Sequence, residues 1–85
     1  MYNVKIIPRA QKDIDKLRGK LFNDIADKIN RLKDNPRPPG CEKLTDEEGY
    51  RVRVRDYRIL YRINDKSQIV FIHRVRHRRE VYRQF

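Results

Sequence analysis

Eighty-five residues suffice for one domain with a single small core, and five tyrosines with three phenylalanines argue against disorder although 40% of the chain is charged. Twenty-two lysines and arginines against twelve carboxylates give a formal net charge of +10, which points to an anionic partner. One cysteine, Cys41, excludes an internal disulfide and a cysteine-based zinc site; within "NPRPPGCEKL" it reads as a loop thiol in a reducing compartment.

In chain order, "YNVKII" (2–7) is rich in β-formers and predicts an opening strand. Pro8 ends it and suits the first turn of a helix. From Arg9 to about Arg18, Ile14 and Leu17 mark an apolar stripe, and Gly19 interrupts. From Lys20 to about Asp34, Phe22, Ile25, Ala26, Ile29 and Leu32 recur at helical spacing. This helical hairpin needs a sheet to cover its apolar faces. "DNPRPPG" breaks the chain, because proline blocks helix continuation and Gly40 permits a tight reversal. An acidic loop, "TDEEG", precedes three strand-like segments at about 50–55, 57–63 and 68–75, the last two joined by the turn "NDKS". The tail "RHRREVYRQF" reads as a short helix or an extended arm. The expectation is one α+β domain over 1–85, ordered β-α-α-β-β-β, with the helices on one face of a largely antiparallel sheet. No long apolar run or basic amphipathic helix with exposed aromatics speaks for a membrane. The N-terminus is interrupted by Pro8 too soon for a signal peptide, so the expected location is the cytoplasm.

The carboxylates do not resemble a metal site, which needs several hard oxygens converging on one ion. Asp13, Asp15, Asp24 and Asp27 lie on the helices among basic residues. Asp24 to Lys28 and Asp27 to Arg31 are spaced for helix ion pairs. Asp46, Glu47 and Glu48 read as a solvated turn, and His73 and His77 have no companion ligands at metal-site spacing. No metal or other cofactor is expected, and no phosphate loop or Ser-His-Asp pattern is present.

The basic residues are more informative. In "GYRVRVRDYRILYRI" (49–63), Tyr50, Val52 and Val54 alternate with Arg51 and Arg53. A two-residue turn at Arg55-Asp56 places Arg53 opposite Arg58, on the face away from the core. Like charges directly across a sheet destabilise it, and a shared phosphodiester anion would explain them. Arg76, Arg78 and Arg79 add a second cluster, whereas Arg55 and Arg62 read as ordinary surface charges. A metal-free site of this kind suits RNA, whose 2′-hydroxyl is a built-in nucleophile. Fixed cations stabilise the phosphorane, and His77 and Tyr82 are the titratable candidates for proton transfer. Tyr82 could instead stack on a base.

The chain resembles the RelE family of toxins within the RelE/ParE superfamily. The likeness runs through the opening strand, the helical hairpin, "EKL" (42–44), "GYRVRVRDYRILYRI" and "VRHRREVYR" (75–83). It implies a sheet-and-hairpin fold that enters the ribosomal 30S A site and cuts mRNA through 2′-hydroxyl attack. It also implies a cognate acidic, RelB-like antitoxin. By position, Arg51 and Arg53 match the family's two basic strand residues, which bind phosphate and of which one, often Lys, is proposed as the general base. Arg58 matches the arginine that stabilises the transition state, Arg78 the tail arginine on the leaving-group side, and Tyr82 the terminal tyrosine that stacks on or orients a nucleotide. His77 lies in the "HR" pair seen in many members. Here arginine stands at both 51 and 53, and its pKa above about 12 makes it a poor base. Proton abstraction is then left to His77, to Tyr82, or to electrostatics alone.

Two other readings stay open. One is a ParE-like inhibitor of DNA gyrase, whose members can share "YRILYRI". The other is a basic RNA-binding module without turnover.

Overall fold

The computed structural model describes residues 1–44 and 49–80. It contains strand β1 (Asn3–Ile6), helices α1 (Pro8–Asp15) and α2 (Gly19–Arg31), and strands β2 (Glu42–Lys43), β3 (Gly49–Val54), β4 (Tyr57–Asn64) and β5 (Ile69–His77). A short 3₁₀ turn (Arg78–Glu80) follows β5. The strands form one sheet in the order β1-β5-β4-β3-β2. Only the β1–β5 pair is parallel; the other described pairs are antiparallel. The α+β layout therefore follows the sequence expectation, with the short edge strand β2 as an unforeseen addition. Residues 45–48, with the acidic run Asp46, Glu47 and Glu48, lie outside the described residues, as does Tyr82.

Both helices cover one face of the sheet. Ala10, Ile14 and Leu17 project from α1 and the residues just after it; Ile25, Ile29 and Leu32 project from α2 and its C-cap. They meet Val52, Ile59, Tyr61, Val70, Ile72 and Val75 of the sheet in one core. Burying each Ile or Leu side chain contributes about 1.5–3 kcal/mol, so this single layer must supply most of the stability. The core-facing row of α2 is the partly buried Leu21 with Ile25 and Ile29, continued by Leu32 at the C-cap, rather than the Phe22 and Ala26 side. Phe22 is 39% exposed and, with Ala26, lines an open groove bounded by β1 and α1. Pro8 opens α1, where its missing N–H has no helical partner to lose. Gly19 takes φ +61° where the chain turns into α2, a region that costs glycine little.

The proline-rich loop is strapped to the sheet. Pro36 accepts the buried Tyr61 hydroxyl at 2.7 Å. Arg37 donates two bonds to Asp65, at 3.2 and 3.0 Å, and a third to the Tyr50 hydroxyl. Tyr2 donates to the same Asp65 at 2.7 Å. At the opposite end, Arg55 occupies the first turn position between β3 and β4 with φ +56°. Its Nε donates to Asp24 on α2 at 2.9 Å. Arg55 is thus a tether between hairpin and helix, not a bare surface charge. Asp24 pairs with Lys20 and Arg55, where the spacing had suggested Lys28. The Asp27–Arg31 pair forms at 3.0 Å as the spacing predicts.

One irregularity matters for the other face. β1 pairs with only the first four residues of β5, Ile69 to Ile72. The β4–β5 ladder shifts at Leu60/Tyr61: Tyr61 faces Ile72, and Leu60 faces Arg74, leaving His73 as the extra residue. The bulge changes phase, so Ile72 and Val75 both point to the core while Arg74 and Arg76 take the alternate register positions, from which the Arg74 guanidinium still reaches Asp13 on α1.

Candidate functional site

The helix-free face of β3, β4 and β5 carries the basic residues in register. Arg53 stands opposite Arg58, and Arg58 opposite Arg76. One step away, Glu42 pairs with Arg51, Arg51 with Leu60, and Leu60 with Arg74. Leu60 is fully buried although it lies on this face, under Leu44. The arginines are therefore arranged around an apolar plug that fixes their backbones.

Electrostatics define the centre of the site. Burial first, then the charges of Arg53 and Arg51, hold the Arg58 guanidinium below its ordinary pKa. Arg78 adds to the repulsion, and Glu42 partly offsets it. Four arginines thus share one field that an incoming anion would relieve. Arg78 comes from the 3₁₀ turn: its backbone N–H donates to Asp56 O at 2.6 Å, and its guanidinium lies 3.9 Å from the Asp56 carboxylate. The hairpin turn thereby holds the start of the tail beside the sheet.

Glu42 is the carboxylate in this group. Arg51 Nε and Nη2 donate to its two oxygens at 3.2 and 3.5 Å. That bond, with the charges of Arg51, Arg53 and Arg58, holds the Glu42 carboxyl below the usual carboxylate range. It is ionised at neutral pH and 46% exposed, so it presents an open carboxylate to a bound molecule, while the same lowering makes it a weaker base. Glu42 is not among the sequence-predicted site residues; a lone acid two residues before a buried leucine becomes informative only once β2 pairs with β3.

The sequence-predicted residues divide accordingly. Arg51, Arg53, Arg58 and Arg78 come together; Arg76 faces Arg58 in register, but its charge acts on Asp13, with which it lines a recess beside α1. His77 does not join them. It pairs with Tyr57 on the helix side of the sheet, ring edge to ring face at 5.4 Å. Its Nδ1 accepts the Arg79 N–H at 3.2 Å, which leaves the neutral ring's proton on Nε2. Arg79 is exposed beyond the end of β5. Among the described residues, no group of three or more His, Cys, Asp or Glu side chains could hold a metal ion. Among them, too, no helix is long and apolar enough to cross a membrane.

This fold has known counterparts. Residues 4–82 match the family of the ParE toxin of type II toxin–antitoxin systems, parDE. The chain is 31% identical to Toxin RelG of Mycobacterium tuberculosis over 85 residues, 98% of either chain. Among solved structures, the archaeal RelE–RelB complex from Pyrococcus horikoshii superposes with a TM-score of 0.82 at 26% identity, covering 94% of this chain and 98% of that one. The RelBE2 toxin–antitoxin complex from Mycobacterium tuberculosis gives 0.79 at 29% identity, covering 89% and 96%. The intact Escherichia coli RelBE complex gives 0.77 at 26% identity, covering 88% and 94%. The matched family carries the ParE name and these relatives the RelE name, two branches built on one fold. The chain belongs to the RelE/ParE superfamily and is a toxin of a type II toxin–antitoxin system.

Proposed function

We propose that this toxin is a ribosome-dependent endoribonuclease that cuts mRNA in the 30S A site and so stops translation. The observation that carries the reading is the Arg53–Arg58–Arg76 row with Arg51 and Glu42 beside it. A phosphodiester laid on this row places its non-bridging oxygens among guanidinium forks, which suit them bidentately. The 2′-hydroxyl gives its proton to Glu42, O2′ bonds to phosphorus, and the P–O5′ bond breaks. The products are a 2′,3′-cyclic phosphate and a 5′-hydroxyl: the leaving O5′, its charge stabilised by Arg78, takes a proton from water, and the hydroxide so formed recovers the proton held by Glu42. Arg53, Arg58 and Arg76 stabilise the dianionic phosphorane, the term that usually dominates such catalysis. Arg79 extends the phosphate-binding surface, and Tyr82 stacks on or orients a nucleotide. No metal takes part, because the substrate carries its own nucleophile. His77 supports the tail through Arg79.

The partner that restrains the toxin is a RelB-like antitoxin, as in the toxin–antitoxin complexes of its structural relatives, and the net charge of +10 suits an acidic one. The ribosomal target places the protein in the cytoplasm. A second reading, inhibition of DNA gyrase, is favoured by the name of the matched family. Programmed ribosomes and a gyrase supercoiling reaction, each given the purified toxin, separate the two. Cut message with intact supercoiling supports the nuclease; intact message with blocked supercoiling overturns it.

A further inference from the structure

Asp13, on α1, lies in the helical hairpin, beside the Arg76 end of the arginine row. Its carboxylate accepts three hydrogen bonds from β5. Oδ2 accepts Arg74 Nε at 2.8 Å and the Val75 backbone N–H at 3.0 Å, and Oδ1 accepts Arg74 Nη2 at 3.1 Å. The Asp13 side chain is 12% exposed and that of Arg74 18%.

The location gives these bonds their meaning. The parallel pairing of β1 stops at Ile72, with a last bond from Ile7 N–H to Ile72 O. Beyond that point the outer edge of β5 has no strand beside it, and α1 takes the place of one. A strand edge leaves N–H groups that need acceptors, and Asp13 supplies one to Val75. The two residues it grips, Arg74 and Val75, are those immediately after the His73 bulge. Without the extra residue, Arg58 would face Val75 and Tyr57 would face Arg76. Arg76 would then leave the arginine row for the helix side, since a one-residue slip turns every side chain to the other face. Arg76 lies close enough for its charge to help hold the Asp13 carboxyl below its usual range.

We infer that Asp13 is a positioning residue: by gripping β5 directly after its bulge, α1 fixes the register that holds Arg76 opposite Arg58. Its catalytic consequence rests on the nuclease reading above; its structural consequence does not.

Two readouts on purified toxin test it. The first is NMR of the wild type, D13N and D13A, following backbone contacts between Arg58 and Arg76 and the exchange of the Val75 amide. D13A is expected to speed that exchange more than 10-fold and to weaken the 58–76 contacts. D13N, whose amide oxygen still accepts the Val75 N–H, falls between and guards against simple misfolding. The second is single-turnover cleavage on programmed ribosomes. D13A should slow cleavage roughly 10- to 50-fold with ribosome affinity changed less than about 3-fold, and D13A/R76A should be no slower than R76A. Unchanged 58–76 contacts in D13A, or losses that multiply fully in the double variant, would overturn the inference. Failure of the wild type to cleave would instead remove the nuclease reading, leaving the NMR result to decide the role of Asp13.

Discussion

Arg53 on β3 and Arg58 on β4 stand directly opposite each other, and Arg76 on β5 faces Arg58 from the other side. Like charges in one cross-strand row oppose folding, and burial together with the charges of Arg53, Arg51 and Arg78 lowers the Arg58 pKa. A surface so arranged is stabilised by an anion. Replacing Arg58 by Ala should therefore lower single-turnover cleavage by about 10²–10³, the usual loss for one transition-state donor. The melting temperature of the RNA-free protein should stay level or rise, because repulsion is relieved. A melting curve beside the cleavage assay checks both halves; a large drop in stability would mean that Arg58 is structural.

Glu42 should behave as a proton acceptor. E42Q keeps the shape and an acceptor for Arg51 but cannot take the 2′ proton, so cleavage should fall by roughly 10²–10⁴ while ribosome affinity holds. The carboxyl lies below its ordinary 4.5, so it is ionised and competent above that value. Its contribution disappears only as pH falls through the lowered value. Cleavage should consequently show no acid limb assignable to Glu42 between pH 8 and 5. Tighter RNA binding with unchanged turnover in E42Q would make Glu42 a mere counter-ion of Arg51.

Asp13 carries a pH-dependent share of stability. Burial works to raise its pKa, but the Arg74 bond, the Val75 N–H and the Arg74 and Arg76 charges outweigh it and leave it below 3.8. A depressed carboxyl stabilises the fold above its unfolded value and loses that contribution as pH falls through the folded one. Urea unfolding from pH 7 to 2 should show wild-type stability declining below about pH 4, with D13N flatter over that window. At pH 7, D13A should cost about 2–3 kcal/mol, in line with charged hydrogen bonds.

Tyr61 is fully buried, and burial pushes its hydroxyl pKa up. Its hydroxyl donates to Pro36 O, which anchors the proline-rich loop. Y61F leaves that carbonyl without its donor and should cost about 1–2 kcal/mol. For a domain of this size that lowers the melting point by roughly 5–15 °C. Cleavage by the folded variant should be unchanged, since Tyr61 points to the core.

The sequence made the sheet-and-hairpin layout readable because alternation in 49–63 and helical spacing in 20–32 are strong local signals. The Arg55-Asp56 reversal and the Arg53–Arg58 pairing also followed from local spacing. What escaped was set by tertiary contact. A two-residue strand such as Glu42–Lys43 has no periodicity of its own; only pairing with β3 defines it. The β5 bulge left a trace, since Val70, Ile72 and Val75 step by two and then by three. That phase break also extends the strand to His77 and turns its ring away from the arginine row. Asp24 chose Arg55 over Lys28 because the hairpin tip folds back onto α2, a contact invisible to helix spacing.

The most direct test of the nuclease reading uses ribosomes programmed with either of two messages. One is all-ribonucleotide; the other carries a single 2′-deoxy residue at the scissile position of the A-site codon. Wild-type toxin should cut the first to a 2′,3′-cyclic phosphate and a 5′-hydroxyl and leave the second intact. Cleavage of the deoxy message, or of neither, would contradict attack by the 2′-hydroxyl on the arginine row.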